Sequence, residues 1–243
     1  MLKRRIDTGE YDIDALRLLE RRLGQTAREY ALTPSAGGVE VEIVGDDAMQ
    51  ELTGALSLLL LRDLSRFELA YMADKLPLSV AEKQEVLANS IHCAKKSERL
   101  GTVRRKLAAY LANEDALHLS GYMRFRMPEM MSAWKLCVQS AMEELLLEKE
   151  YVELMGVLRA FVDMKPARVR EISLLLNPDG SCTLTDDSDA RVDYAYCDPD
   201  KLVGVLMDLA PERLTVYDLS GKPDGELAET LKNVFQGRVR FLH

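Results

Sequence analysis

The sequence predicts an α+β fold, on three observations. Apolar residues recur at three- and four-residue steps through most of the first two thirds of the chain, which is the spacing of buried helix faces. Val39, Val41 and Ile43 alternate with Glu40 and Glu42, the two-residue period of a half-buried strand. After Lys165-Pro166, strand-like and helix-like segments alternate between turn signals, as in a small sheet covered by helices. The expected architecture is a mostly helical N-terminal and central part with a small β-α lobe (1–165), a long central helix, and a C-terminal β-β-α-β-α-β lobe (166–243).

In chain order, Leu2 to Ile6 suits a short edge strand. Ile13, Leu16, Leu19 and Leu23 share one face of a helix drawn from Asp12 to Tyr30. Residues 33–38 (TPSAGG) read as a loop. A strand over 39–44 ends at Gly45, and Asp46 can cap a helix running from about Asp47 to Lys75, which Pro77 stops. Ser79 and Glu82 have capping-box spacing, opening a helix to about Lys96. Gly101-Thr102 breaks the pattern, with Thr102 placed to cap a short helix through Leu111. Residues 118–127 (HLSGYMRFRM) are rich in aromatic and β-favouring types and suit an extended segment or a structured loop.

Pro128 fits the first turn of a long helix to about Val162, since its missing N–H costs nothing there. Asn177-Pro178-Asp179-Gly180 is a tight turn between strands over Arg170–Leu176 and Ser181–Thr185. Asp198-Pro199 opens a helix that Pro211 ends. A strand (Leu214–Leu219), a helix (Asp224–Phe235) and a final strand (Arg238–Leu242) complete the lobe.

Composition limits the function. The chain has 243 residues, 47% apolar and 30% charged, an ordinary balance for a packed protein. Its net charge is −8, which disfavours a broadly basic nucleic-acid binder. Residues 1–127 carry 19 Lys/Arg and 19 Asp/Glu; residues 128–243 carry 13 and 21, so the second half holds the whole excess. The basic start MLKRRIDTGEYD has no apolar stretch behind it, and the run Leu58–Leu61 is far short of the roughly 20 residues a membrane span needs. Cys93, Cys137, Cys182 and Cys197 form no C-x-x-C pair and no zinc or disulfide framework. A reduced, cytoplasmic protein without membrane association is expected.

No phosphate-binding glycine loop, dinucleotide fingerprint, zinc-binding H-E-x-x-H or nucleophile-elbow motif is present. Histidine occurs only at 92, 118 and 243, which disfavours common hydrolase and metalloenzyme plans. No catalytic residue, metal site or cofactor is therefore expected. Asp186-Asp187-Ser188-Asp189 lacks the glycine and glutamate of an EF-hand and reads as a solvated turn between strands.

Two groups could bind. Lys95, Lys96, Arg99, Arg104, Arg105 and Lys106 form a basic segment that could meet an acidic polymer or nucleic acid. On the long helix, Trp134, Cys137, Ala141, Leu145, Glu148, Val152 and Met155 fall in one narrow arc, so Glu148 sits in a mostly apolar stripe that also carries Glu144 and Arg159. Leu136, Leu147, Leu154, Leu158 and Phe161 form a second stripe, as in a helix central to its fold. Arg124 and Arg126 flank Phe125 just upstream and point the same way if extended. Either these arginines are braced by carboxylates of the following helix, or they line an anion or nucleotide pocket.

The segment Gly121-Tyr122-Met123-Arg124-Phe125-Arg126-Met127, then Glu148-Lys149-Glu150-Tyr151, then Leu158-Arg159-Ala160-Phe161-Val162 resembles the YtxC-like family of sporulation proteins. The tail is similar too, at Leu202-Val203, Leu209-Ala210-Pro211, Glu229-Thr230-Leu231 and Val234-Phe235-Gln236-Gly237-Arg238-Val239. The resemblance covers about 118–243 and is loose before that. It implies a cytoplasmic protein of endospore-forming bacteria and transfers no catalytic residues. It marks Arg124, Arg126, Glu148, Glu150 and Tyr151 as candidate ligand-binding residues. The leading expectation is a non-enzymatic scaffold or regulator acting on an unknown protein partner. The alternatives are a phosphate- or carboxylate-binding protein or enzyme using Arg124/Arg126, and acidic-polymer binding through 95–106.

Overall fold

A computed structural model describes the chain except residues 12, 28, 97–99, 222–224 and 243. It contains two compact units, Met1–Leu145 and Leu146–His243. Each has its own mixed sheet and helices, which makes the protein α+β.

In the first unit, β1 (Leu2–Asp7) is followed by α1 (Ala15–Thr26), β2 (Tyr30–Ser35) and β3 (Gly38–Ile43). Asp14 caps α1, its carboxylate accepting from the Arg17 N–H at 3.0 Å. The helix ends at Thr26, short of the expected Tyr30, which is the first residue of β2. The expected loop at 33–38 is the end of β2 and a tight turn, with Gly37 at φ +83°. Pro34 is tolerated because β2 is an edge strand. Burial alternates along β3, with Val39, Val41 and Ile43 inside and the two glutamates outward.

The strand order is β2-β3-β1-β4, so β1 is central and not an edge. Its far side pairs in parallel with β4 (Ala116–His118), a three-residue strand too short to leave a two-residue period in the sequence.

The helix expected over 47–75 is three segments. α2 (Ala48–Leu58) passes through a π turn at Leu59–Leu64 into α3 (Ser65–Asp74). Asp47, not Asp46, is the N-cap, and its side chain makes no capping bond. The leucine run is core: Leu59, Leu60, Leu61 and Leu64 are all buried. Buried with them is the Asp63 carboxylate, gripped by Arg22 (2.7 and 2.9 Å) and also paired with Arg21.

α4 (Val80–Lys96) starts with the expected capping box, Glu82 accepting from the Ser79 N–H at 2.7 Å and Ser79 Oγ from the Glu82 N–H at 3.4 Å. α5 (Leu100–Leu111) contains Gly101 and Thr102 inside its first turn, where a break was expected. After β4, α6 (Leu119–Arg126) replaces the expected extended segment or loop, and α7 (Pro128–Met164) begins at the proline as expected.

Cys93 and Cys137 are disulfide-bonded, joining α4 to α7 with Cα atoms 5.7 Å apart. This corrects the reading of four reduced thiols: packing of the two helices brings together residues 44 apart in sequence, and no local spacing encodes that. On α7, Trp134, Cys137, Ala141 and Leu145 are buried in the first unit, while Met155 and Val162 are buried in the second. Glu148 and Val152 of the same predicted stripe are exposed, as are Leu136, Leu147, Leu154 and Phe161 of the other. Among the described residues, no helix is long and apolar enough to cross a membrane.

The second unit adds β5 (Glu171–Leu176), β6 (Cys182–Asp186), β7 (Arg191–Tyr194), α8 (Pro199–Leu209), β8 (Arg213–Asp218), α9 (Glu226–Val234) and β9 (Val239–Leu242). The strand order is β7-β6-β5-β8-β9, with β5, β8 and β9 parallel. The expected lobe thus gains one strand, β7, which the acidic turn at 186–189 connects to β6. Asp186 organises that turn by accepting from Ser188 N–H, Ser188 Oγ and Ala190 N–H at 2.8–2.9 Å. Asp198 caps α8 with Pro199 in its first turn, as expected.

Five surface carboxyls of this unit titrate below the ordinary range. The Ser181 hydroxyl lowers Asp179, the Ser188 hydroxyl lowers Asp186, and the Thr183 hydroxyl with Arg191 lowers Asp193. The Lys201 N–H lowers Asp198, and the Lys165 ammonium lowers Asp208. Groups depressed on folding stabilise fully above their unfolded pKa, about 3.9 for aspartate, and lose that contribution as pH falls through the folded values. A thermal melt followed from pH 5 to pH 2 is expected to show the loss concentrated below pH 4. A midpoint constant down to pH 2 would contradict it.

Candidate functional site

The site is built where β4 turns into α6. The His118 ring caps α6, its Nδ1 accepting from the Gly121 N–H at 3.2 Å. On a helix, residues two apart lie about 200° around the axis from each other. Arg124 and Arg126 therefore point to opposite sides, whereas an extended segment would have aligned them.

Arg124 reaches the loop after β1. There Gly9 holds φ +66°, and the Glu10 N–H donates to Ser120 Oγ at 3.3 Å. The Arg124 guanidinium forms a two-pronged pair with the Glu10 carboxylate, at 2.6 and 3.2 Å. The hydrogen bonds and the charge hold Glu10 below the usual carboxylate range and raise Arg124. Both side chains are more than half exposed, so this pair fixes direction and adds little stability. Beside it the Tyr11 hydroxyl donates to Glu68 Oε1 at 2.6 Å. Burial first, and this carboxylate second, push the Tyr11 phenol well above its usual value.

Arg126 faces a groove of about 370 Å³ lined by Lys106, Tyr110, Asn113, Glu114 and Tyr122. Tyr110 and Tyr122 meet edge to face, centroids 5.1 Å apart, and form its aromatic wall. Burial pushes the Tyr122 phenol up to about 12, so it stays a neutral hydroxyl near pH 7. Among the described residues, Arg126 has no hydrogen bond or ion pair. Lys106 touches only the limit of ion-pair distance, 4.0 Å, from an almost fully exposed Glu129. The groove thus offers two cations against Glu114.

The expected brace to the following helix is not formed: the acid holding Arg124 is Glu10, whose place beside α6 follows from the central position of β1. Glu148 and Glu150 belong to the second unit and are exposed. Tyr151 is half-buried there against its core. The basic segment divides as well. Lys95 and Lys96 end α4 and are exposed; the Arg104 guanidinium donates to the Gln50 carbonyl at 3.0 Å; Arg105 is exposed; Arg99 lies outside the described residues. Lys106 is the member that joins Arg126. Sequence reasoning had Tyr110 beside the basic segment but missed Asn113 and Tyr122; Tyr110 lies four residues after Lys106, on the same face of α5.

The YtxC-like family model matches residues 71–240, more than half of the chain. The chain belongs to the YtxC-like family. The match takes in α4 to α9, with the Arg126 groove, and leaves out β1, α1, β2, β3 and α2. The chain is similar to "Uncharacterized protein YtxC" of Bacillus subtilis (strain 168), 26% identical over 161 residues, which cover 60% of this chain and 56% of that protein. It therefore spans little more than half the length of this curated YtxC relative. No solved structure matches.

Proposed function

We propose that this YtxC-like protein is a non-enzymatic regulatory factor of sporulation that works by binding, with the Arg126 groove as its receptor for a phosphate or carboxylate group. The observation that carries the reading is the Arg126 guanidinium, unpaired among the described residues, beside Lys106 and two tyrosines in a groove the family match covers. Arginine's planar fork suits such oxyanions, and the tyrosine rings supply flat contact. Glu148, Glu150 and Tyr151 lie in the second unit and take no part in this receptor, while Arg124 with Glu10 orients α6. Low histidine content and the absence of catalytic motifs support binding over turnover. We place the protein in the cytoplasm, as membership of the YtxC-like family suggests, with the Cys93–Cys137 bond an exception to the reduced thiols usual there.

Calorimetry of the whole chain with inorganic phosphate tests the receptor. Arg126→Gln is expected to weaken binding about tenfold, the worth of one charged hydrogen bond; unchanged affinity rejects the groove. Deletion in a spore-forming host, followed by heat-resistant spore counts, tests the role. Undiminished counts remove the physiological claim.

A further inference from the structure

Lys106 lines two cavities. One is the Arg126 groove. The other, about 320 Å³, lies in the same unit and is walled by Leu61, Val103, Met127, Met130 and Trp134, with Glu129 also at its lining. Arg126 lines the first and the next residue, Met127, lines the second, so a cationic chamber and an apolar one share Lys106 and adjoin at the end of α6. An apolar cavity of a few hundred Å³ with few polar groups is the ordinary form of a small-molecule site. Methionine is suited to lining one, because its flexible thioether adapts to irregular apolar shapes.

We propose that the two chambers form one site for a single-chain anionic amphiphile, with a carboxylate or phosphate head between Arg126 and Lys106 and an alkyl chain against Trp134, Met127 and Met130. This rests on the reading of the Arg126 groove as an anion receptor and adds the chemical class of the ligand. A small polar anion would use only the groove and leave the apolar chamber without a role. An uncharged hydrocarbon would leave both cations unmatched. The ligand binds as a monomer, because the apolar walls surround a cavity and are not a flat face laid on a bilayer. Met127 and Trp134 are almost fully buried.

Trp134 is the only tryptophan, so its fluorescence reports on the apolar chamber alone. The whole chain is titrated with octanoate, decanoate and dodecanoate below their micelle concentrations, with dodecyl maltoside as the uncharged control. Binding is expected to shift Trp134 emission and to tighten about fourfold per added methylene, the increment for burying one CH₂. Arg126→Gln and Lys106→Gln, both surface changes, are each expected to weaken dodecanoate about tenfold without altering the chain-length increment. Affinity indifferent to chain length, dodecyl maltoside binding as well as dodecanoate, or binding only to anionic vesicles each overturns the proposal. Phosphate binding by calorimetry separates the levels. If phosphate binds through Arg126 and dodecanoate does not shift Trp134, the amphiphile is wrong and the anion receptor stands. If neither binds, both fall.

Discussion

Asp63→Ala is expected to cost about 3 kcal/mol of stability, seen as a lower urea midpoint at unchanged slope. The cost comes from what is left behind. Arg22 grips both Asp63 oxygens, and its side chain is only 14% exposed. Without the carboxylate a guanidinium is buried with no counter-charge, and its dehydration is no longer offset. Arg21 contributes much less because it is 53% exposed and stays solvated when its partner is removed. Arg21→Ala should therefore fall below about 1 kcal/mol. A loss under 0.5 kcal/mol for Asp63→Ala, on the scale of an ordinary surface substitution, would show that water reaches Arg22 in the folded protein.

Gly38→Ala is expected to destabilise by about 3 kcal/mol or more, at the upper end of overpacking costs. A methyl group placed there would stand 2.1 Å from the Ile6 carbonyl oxygen and 2.8 Å from the Asp7 Cα. Both are backbone atoms of β1, so no flexible side chain can swing away. Gly38 pairs with Asp7 at the last rung of the β1–β3 ladder, and relief requires separating the strands there. Amide hydrogen exchange should show faster opening of β1 in the variant, spreading from Asp7. Wild-type protection along β1 together with wild-type stability would exclude this contact as the reason for glycine.

The elements visible in the sequence are those whose signals are local. The Ser79/Glu82 box, the Asp198-Pro199 start and the turn at 177–180 each complete their hydrogen bonds within a few residues. What escaped depends on distant partners. Tyr30 reads as the end of a helix and residues 33–35 as loop, yet Tyr30–Ser35 is a strand because β3 lies beside it. β4 is three residues long and exists through β1. The π turn carries Asp63 to its partners Arg21 and Arg22 on α1, and nothing in the run of leucines announces it.

The candidate site divides the same way. Arg124, Arg126 and Lys106 were visible as residue types. Their directions depended on whether 118–127 is helix or strand, and the helix reverses the conclusion for the two arginines. Glu10, which orients Arg124, lies 114 residues away and was beyond any local reading.

The central position of β1 also bears on synthesis. Arg5 pairs with Ala116, so the side of β1 that β4 covers stays open until roughly 110 more residues have left the ribosome. At 5–20 residues per second that wait lasts about 5–20 s. Throughout it the nascent chain offers a free strand edge to any passing polypeptide. The far side of β1 is therefore covered later than its β3 side, and the first unit's sheet closes only when β4 arrives.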